Sequence, residues 1–521
     1  MSNWKIAMIL VIAVTSPIFA QDPVWVRIYD GPAGGFDRAY ALAIDNSGNV
    51  CVTGTSEGLG LDHDFATIKY DSLGNEVWIA RWNGPGPDNL GDRAYDIGID
   101  GSGNVYVVGE TGDGGIDQRI ALVKYDRDGN ELWSKIYDAT EGVGEALAVD
   151  GIGNVYITGE IYDPSTTYYD LITMKYDTDG NLIWATRSGT EFYDCGHDIV
   201  VDRSGNVYVT GQAGGAPSSD NDYITIKYDS LGNEVWVRFY DGPIQGHDLA
   251  MAIALDESGN VYVTGGSPGP GTGCDYATIK YDNNGQELWI ARYNSSGNGL
   301  DDAKAIVVDD LGNVYVTGYG GATVKYDADG NQLYTSEIDD GWFLAMTIDS
   351  SGYIYITGSI GADFATVKYD STLKENWTAT YNGPANSTDR AFDIAVDAAG
   401  YVYITGIADW SGWSANYTTI KYSQEIGIKE ETVGAPKHEK LIVLQNPVRE
   451  EIDLLIRSKG HRVTIKLFDT TGRIISKLWE GYLPYGQNRL SLKAPVKSGI
   501  YFLILEDGEE RTAEKIIFLP R

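Results

Sequence analysis

Six aspartates stand at a fixed distance from a recurring turn sequence, and carboxylates in such a pattern can bind a cation or cap backbone amides. Each lies eight residues before the first residue of an Asp-x-x-Gly turn: Asp37, Asp92, Asp194, Asp248, Asp301 and Asp389. Carboxylate oxygens are ligands that Ca²⁺ prefers. Short polar side chains also accept hydrogen bonds from nearby loop amides. The pattern predicts loop capping, with a Ca²⁺ site as the alternative.

Other residue types that carry chemistry form no recognisable constellation. The five histidines show no metal-ligand spacing, and the sequence lacks the Gly-x-Ser-x-Gly and Gly-x-x-x-x-Gly-Lys-Ser/Thr motifs. Trp410 and Trp413 lie in a predicted loop, where aromatic rings can stack on sugars or pack locally. We predict no catalytic residues and no cofactor apart from Ca²⁺, with the two tryptophans as candidate ligand contacts.

The elements that hold these residues follow from a phrase that returns eight times, with a period of about fifty residues. Its first copy runs from Asp45 to Gly54, and its last copy ends at Gly406. Each unit carries short runs of alternating apolar residues separated by turns, which predict four antiparallel strands. Repeated units of this kind are typical of a β-propeller. We predict eight blades, with seven as the alternative because the sixth unit is short.

The connections divide the predicted propeller into two faces. Turns between the first and second strands and between the third and fourth strands are short and uniform, whereas the other connections are long and variable. In an antiparallel blade these two sets lie on opposite faces, and variable loops on a rigid scaffold often carry binding sites. The last unit lacks its fourth strand, which the segment from Val24 to Pro32 resembles. We therefore predict that the N-terminal strand closes the ring.

Two sets of basic residues recur in the predicted strands. The third strands carry Lys69, Lys124, Lys175, Lys227, Lys280, Lys325, Lys368 and Lys421. Because a buried charge needs a partner, these lysines are predicted to form ion pairs between blades. The fourth strands carry Arg27, Arg81, Arg187, Arg238 and Arg292. We predict that these arginines share one equivalent position and support the scaffold, and that they do not converge on an anion.

Three further segments flank the repeats. Residues 1–20 show the pattern of a signal peptide, a lysine followed by an apolar run too short to span a membrane. Residues 21–423 hold the propeller, and residues 424–440 have the polar composition of a linker. Residues 441–521 alternate as short strands with turns, which predicts a small β-sandwich. No later stretch reaches membrane-spanning length.

Charge and cysteine content restrict the partners and the covalent structure. The formal net charge is −35, and we expect no nucleic-acid partner because that would require a basic surface. The three cysteines are too few for a disulfide framework. Cys51 replaces a strand tyrosine and is predicted to be buried. Cys195 and Cys274 are assigned to loops, and a disulfide between them is left open.

The repeats and the C-terminal segment each resemble a known family. The phrase Asp-x-x-Gly-Asn-Val-Tyr-Val-Thr-Gly, followed by Tyr-Ala-Thr-Ile-Lys-Tyr-Asp, resembles the SBBP-type bacterial β-propeller repeat. The C-terminal segment resembles a type IX secretion sorting domain through Gln445-Asn446-Pro447, Val463 to Arg473, Ser498 to Phe502 and Lys515 to Arg521. This second resemblance implies export, recognition by the outer-membrane translocon, and a final location at the cell surface or in the medium.

Three classes of function fit these observations. We predict an exported, non-enzymatic propeller whose loop-rich face binds a glycan, a surface protein or a cation. The first alternative is a hydrolase or lyase that acts on polysaccharide through loop carboxylates, for which the sequence assigns no pair at the required separation. The second alternative is a structural spacer in the surface layer.

Overall fold

The computed structural model describes residues 19–59, 63–85, 91–112, 118–137, 141–215, 220–296, 299–411, 414–424, 441–443, 451–458, 462–468, 473–483, 486–493, 499–507 and 510–518. Throughout these ranges the regular elements are β-strands, which confirms the all-β class. No helix in the described part of the chain is long and apolar enough to cross a membrane. The chain divides into two compact units, Met1–Ile428 and Lys429–Arg521.

The described strands of the first unit form six separate four-stranded antiparallel sheets and one nine-stranded sheet, in which the pair of Tyr319 and Trp342 joins two further four-stranded groups. We number these eight groups as blades 1 to 8 in repeat order. Blade 1 contains, from first strand to fourth, Asp37–Ile44, Val50–Glu57, His63–Tyr70 and Glu76–Trp82. Blade 2 contains Arg93–Ile99, Val105–Gly112, Gln118–Tyr125 and Glu131–Ile136. Blade 3 contains Gly142–Val149, Val155–Asp163, Tyr168–Tyr176 and Leu182–Ser188. Blade 4 contains Asp194–Val201, Val207–Gly214, Asn221–Tyr228 and Glu234–Tyr240.

The second half of the ring follows the same order. Blade 5 contains Leu249–Leu255, Val261–Pro268, Cys274–Tyr281 and Glu287–Tyr293. Blade 6 contains Asp302–Val308, Val314–Tyr319, Ala322–Tyr326 and Gln332–Glu337. Blade 7 contains Gly341–Ile348, Ile354–Ile360, Asp363–Tyr369 and Glu375–Tyr381. Blade 8 contains Thr388–Val396, Val402–Trp410 and Asn416–Tyr422, and its fourth strand is the N-terminal segment Pro23–Tyr29.

The N-terminal strand closes the ring, which confirms the sequence prediction. It runs antiparallel to the third strand of blade 8, with Val26 opposite Ile420. The first strands of blades 8 and 1 contact each other as those of other neighbouring blades do. The predicted signal peptide lies outside the described residues except for Phe19–Ala20, a two-residue strand parallel to the fourth strand of blade 7.

A tryptophan on the fourth strand joins a blade to the next in seven of the eight blades, and in blade 6 Tyr334 stands at that position. Trp236 packs between Tyr208 of its own blade and Tyr281 of blade 5, and its indole N–H donates to the Asn283 carbonyl at 3.1 Å. The same indole bond is made by Trp25, Trp78, Trp133, Trp184 and Trp289. The buried Trp377 is the exception, because its N–H has no partner among the described residues. The other indoles bond the turn between the third and fourth strands of the next blade, whereas in blade 8 these two strands come from opposite ends of the propeller sequence.

The third-strand lysines do not form the predicted ion pairs between blades. Lys124 and Lys325 each donate to a turn carbonyl of the next blade at 2.8 Å and lie over a tyrosine ring of their own blade. Lys69 also donates to a turn carbonyl of the next blade, at 3.4 Å, but in place of the tyrosine ring it contacts Asp45 of its own blade at 2.9 Å, because Cys51 stands where the other blades have that tyrosine. A carbonyl and an aromatic face therefore satisfy most of these ammonium groups.

The Asp-x-x-Gly-Asn turns are held by bonds within the turn. Asp45 accepts a hydrogen bond from the backbone amide of Asn49 at 3.0 Å and another from its side-chain amide at 2.8 Å. Gly48 has a φ of 77°, in the left-handed region that glycine tolerates. The third–fourth turns repeat the arrangement, and hydrogen bonds from Asn75 lower the pKa of Asp71. These turns form the short-turn face of the propeller.

The second unit consists of two antiparallel sheets. The smaller sheet contains Leu441–Val443, Glu451–Ser458 and Gly486–Lys493. The larger sheet contains Ile474–Tyr482, Arg462–Phe468, Gly499–Asp507 and Glu510–Phe518. Buried apolar side chains of both sheets, such as Leu454 and Leu503, pack in one core. This arrangement is that of a small β-sandwich.

Candidate functional site

The first strand of each blade has a bulge at the same point. In blade 1 the register with the second strand shifts between Ala39 and Ala41, so Tyr40 has no partner opposite it. A bulge of this kind changes the direction of the extra residue. The eight residues at this position, which we call the bulge ring, are Tyr40, Tyr95, Glu145, His197, Met251, Lys304, Leu344 and Phe392.

Because the first strands of neighbouring blades contact each other all the way round, the bulge ring surrounds the central channel, in the half of each first strand that begins at the loop-rich face. Tyr40 contacts Tyr95 of blade 2 and Phe392 of blade 8, with ring centroids 5.5 and 5.9 Å apart. The ring lies close to Asp37, whose carboxylate accepts a hydrogen bond from Gly31 in the loop that enters blade 1. We call the bulge ring and the side chains that contact it from this end the channel mouth, and we assign it as the candidate functional site.

One sector of the channel mouth, formed by blades 7, 8 and 1, is cationic and aromatic. The Arg38 guanidinium carbon lies 4.5 Å from the Tyr40 ring centroid and 4.3 Å from that of Phe392. The Arg390 guanidinium carbon lies 5.6 Å from the ring centroid of Trp342, whose side chain is 42% exposed. Burial lowers the pKa of Arg38, and the charge of Arg390 acts in the same direction.

The neighbouring sector, formed by blades 2 to 4, is acidic. Burial and the charges of Glu160 and Glu110 raise the pKa of Glu145 to about 7. Glu160 accepts a hydrogen bond from the Tyr193 hydroxyl, and Glu110 accepts one from Arg93 at 2.6 Å. The channel mouth therefore carries opposite charges in adjacent sectors. Such a division can orient a ligand that has its own uneven charge.

The six predicted aspartates are distributed around the ring and do not meet at one site. Each carboxylate accepts a hydrogen bond from a backbone amide in the loop that enters its blade. Asp389, for example, accepts from Gly383 at 2.7 Å, while its own amide donates to Ala362 of the preceding blade. These contacts are loop capping, and the Ca²⁺ hypothesis stays a prediction.

Within the described residues, Asp248 alone of the six belongs to a group of carboxylates that could share a cation. Asp222, Asp241 and Asp248 each offer an oxygen within 4.8 Å of the others. Burial and the charges of Asp241 and Asp248 raise the pKa of Asp222 to about 6. Oxygen ligands at this spacing suit Ca²⁺. If the loop-rich face binds a cation, these residues are the best placed to hold it.

The fourth-strand arginines occupy two positions, and the prediction of a single equivalent position is wrong. Arg81, Arg187 and Arg292 lie three residues after the strand tryptophan, whereas Arg27 and Arg238 lie two residues after it. Arg292 pairs with Asp275 of its own blade at 3.0 Å, but Arg238 donates to the Gly285 carbonyl of the next blade. In blade 4 Phe239 therefore stands where an arginine would face Asp222. With phenylalanine at this position, Asp222 has, among the described residues, no arginine partner of the kind that Asp275 has in blade 5.

The remaining predicted residues fall at separate places. Trp410 ends the second strand of blade 8 and is 39% exposed, whereas Trp413 lies outside the described residues. Cys51 is buried, as predicted. Cys195 and Cys274 lie in strands, which corrects their assignment to loops, and both are free thiols.

Sequence reasoning missed Arg38, Arg390 and Trp342. Each of the three lies two residues before the bulge-ring residue of its own first strand, so they occupy one equivalent position in blades 1, 8 and 7. Residues at this position differ from blade to blade, so a search for repeated residues passes over them. One signal could have found them. When the eight repeats are aligned, this position varies among the first strands, whereas the neighbouring positions repeat.

Two segments of the chain match known family models. Residues 116–357 match the model described as outer membrane protein assembly factor BamB, and residues 445–519 match the secretion system C-terminal sorting domain. The first match confirms the resemblance to a propeller repeat, whereas the SBBP type stays a prediction. The second match indicates export through type IX secretion to the cell surface or the medium.

Two solved structures show a similar fold. The C-terminal WD40 domain of Sif2 aligns with a TM-score of 0.50 at 11% identity, over 77% of this chain and 99% of its own. The Dos1 propeller aligns with a TM-score of 0.53 at 10% identity, over 77% and 95%. The uncharacterized WD repeat-containing protein L264 of Acanthamoeba polyphaga mimivirus is 24% identical over 28% of this chain and only 14% of its own length. The chain is thus similar in fold to WD40-type propellers, and it carries in addition a segment that matches a secretion sorting domain.

Proposed function

We propose that this chain is an exported binding protein whose channel mouth is presented to a ligand outside the cell. The observation that carries the proposal is a contrast within the first strands. Scaffold positions repeat from blade to blade, whereas the bulge ring holds aromatic, acidic, basic and aliphatic residues at one equivalent position. Varied side chains on a repeated, rigid scaffold are typical of a binding site.

The proposed ligand is a glycan, a surface protein or a cation. The C-terminal unit would act only in delivery, with the type IX translocon as its partner, and the propeller would act after export. We propose that the propeller binds without turnover. The SBBP resemblance is in keeping with this role, because that repeat family is defined by its scaffold rather than by an activity.

A polysaccharide-acting hydrolase or lyase is the second candidate, and one observation favours it. Glu145 has a pKa of about 7, so at neutral pH a large fraction of it is protonated and could serve as a general acid. Glu160 and Glu110 are the carboxylates whose charges act on it. Release of reducing ends from a polysaccharide, lost in Glu145→Gln, would support this candidate over simple binding.

The test of the proposed function is the thermal midpoint of the full chain with polysaccharides, with Ca²⁺ and with a chelator. A ligand that binds only the folded state raises stability by about 2.7 kcal/mol at one hundred times its Kd. We expect a saturable rise that Glu145→Gln alters and Arg127→Gln, on an exposed short turn, does not. No rise with any probe would favour the structural spacer.

A further inference from the structure

In the part of the chain that the structure describes, Arg38 and Arg390 lack the polar partners, either carboxylates or backbone carbonyls, that the arginines of the fourth strands have. Arg81, Arg93 and Arg292 each bond a carboxylate. Among the described residues the side chain of neither Arg38 nor Arg390 makes a hydrogen bond or an ion pair, and the Nε atom of each is buried without a partner. The chain has a net charge of −35, so carboxylates are abundant. A buried donor without an acceptor is costly, and its retention points to a partner from outside the chain.

The two guanidinium groups lie on neighbouring first strands at the ring closure. They occupy the same position in each strand, with Arg38 opposite Thr55 and Arg390 opposite Ile407. Arg38 reaches across to the Phe392 ring of blade 8. The charge of Arg390 acts on Arg38, and because like charges repel each other, an anion bound by both groups would remove the repulsion. A guanidinium group is also shaped to bind two oxygens of one oxyanion.

Trp342 supplies an apolar surface beside this pair. It occupies the same strand position in blade 7, opposite Ser359, and its ring contacts Tyr319 with centroids 4.7 Å apart. The second–third connection of blade 6 is only Gly320 and Gly321, so no long loop of that blade covers this side. The 42% of Trp342 that remains exposed is available to stack on a sugar ring.

We propose that Arg38, Arg390 and Trp342 form a subsite for a saccharide that carries an oxyanion, either a carboxylate or a sulfate group. The two arginines bind the oxyanion, and Trp342 stacks on the sugar ring. Arg93, at the same strand position in blade 2, is already paired with Glu110 at 2.6 Å, so the unpaired guanidinium groups direct the charged group to the sector of blades 7, 8 and 1. This inference rests on the proposed function and specifies its ligand class.

The experiment is isothermal titration of the full chain with three matched probes: a galacturonate trisaccharide, a sulfated galactose trisaccharide and neutral galactotriose. We expect an acidic probe to bind at least about tenfold more tightly than galactotriose, since a charged hydrogen bond is worth that much or more. Arg38→Gln or Arg390→Gln is expected to lower the affinity for the acidic probe by about tenfold or more and to leave that for galactotriose unchanged. Which acidic probe binds more tightly identifies the oxyanion.

Arg127→Gln is the matched control, because it removes the same charge from an exposed short turn and should change no affinity. Without ligand, the thermal midpoint of Arg38→Gln should not fall, because the substitution removes an unpaired charge beside Arg390. A guanidinium group with a purely structural role would lower that midpoint when removed. Arg38→Lys keeps the charge but loses the fork of donors, so its affinity for the acidic probe should lie between those of wild type and Arg38→Gln.

The outcomes separate this inference from the proposed function. Equal affinities for acidic and neutral probes, unchanged in both arginine variants, would overturn the oxyanion subsite and leave glycan binding in place. Binding of no saccharide would overturn the subsite and glycan binding together. If a glutamine variant does not fold, Arg38→Lys supplies the comparison, and an affinity equal to that of wild type in Arg38→Lys would count against bidentate binding.

Discussion

The short-turn face and the channel mouth are made by the same repeats, yet their side chains follow different rules. On the short-turn face each Asp-x-x-Gly-Asn turn makes the same internal bonds, and the fourth-strand tryptophans donate to the next turn. At the channel mouth one position is filled by Tyr40, Glu145, His197, Lys304 or Phe392 in different blades. Stability therefore resides in the short turns and blade junctions, which leaves the mouth free to vary.

The hydrogen bonding of cationic groups also separates the two regions. Most of the buried lysines at the blade junctions donate to nearby carbonyls, as Lys124 does to Thr178. At the mouth the Nε atoms of Arg38 and Arg390 are buried without partners. Unsatisfied buried donors each cost about 1 to 3 kcal/mol, and proteins tolerate such costs where a site needs them.

The largest difference between the two regions is expected in the free energy of unfolding when a tryptophan of each region is replaced by alanine. Trp236→Ala should lower the free energy of unfolding by about 3 to 5 kcal/mol, because it empties a packed blade junction and removes the indole bond to Asn283. Trp410→Ala, on the loop-rich face, should change it by no more than about 0.5 kcal/mol. Urea unfolding followed by tryptophan fluorescence and by circular dichroism measures both. Equal losses would contradict the assignment of stability to the junctions.

Two glycines with the same backbone conformation give the next largest contrast. Gly232 has a φ of 83°, and a Cβ there would lie 2.5 Å from the Trp184 ring. Gly271, in a loop of the other face, has a φ of 79° with no heavy atom within 4 Å of that Cβ. Gly271→Ala should cost about 1 kcal/mol from the backbone alone, and Gly232→Ala about 3 kcal/mol because a steric clash is added. Thermal unfolding of the two variants would show similar midpoints if junction packing were loose.

The acidic sector should make the stability depend on pH. The folded pKa of Glu145, about 7, lies above the usual value of 4.5, so its stabilising contribution is complete below about pH 4 and is lost as the pH rises through 7. Glu145→Gln should therefore raise the free energy of unfolding at pH 8 by about 3 kcal/mol and have less effect at pH 5. Glu131→Gln, on an exposed strand, serves as the control. A gain for Glu145→Gln that is the same at both values of pH would contradict this assignment.

The smallest expected effect is that of Ca²⁺ on blade 4. If Asp222, Asp241 and Asp248 hold the ion, Ca²⁺ at ten times its Kd should add about 1.4 kcal/mol of stability at pH 7.5. Asp222→Asn should abolish that gain, whereas Asp329→Asn, in an exposed turn, should keep it. Differential scanning calorimetry with Ca²⁺ or a chelator makes the measurement. A gain that survives Asp222→Asn would move the cation elsewhere.

The repeat period, the strand content and the closing strand could all be predicted, because they depend on the local alternation of apolar and polar residues and on turn residues that can be read from the sequence. The partners of individual side chains could not. Arg238 and Arg292 both follow a strand tryptophan, but one residue of difference places them on opposite faces of a β-strand. Lys69 and Lys124 match in sequence position, yet a cysteine in place of a tyrosine on the adjacent second strand exchanges the aromatic contact of the lysine for an ion pair with Asp45.

The order of residues along this chain was sufficient to specify a propeller closed by its own N-terminus and a C-terminal segment for export. Those properties depend on the repeat period, on turn residues and on motifs, each of which lies within one repeat or one segment of the sequence. The channel mouth required the fold, because Arg38 and Arg390 are 352 positions apart in the chain and become neighbours when the ring closes. Bulges in the first strands then decide which side chain of each blade faces the channel.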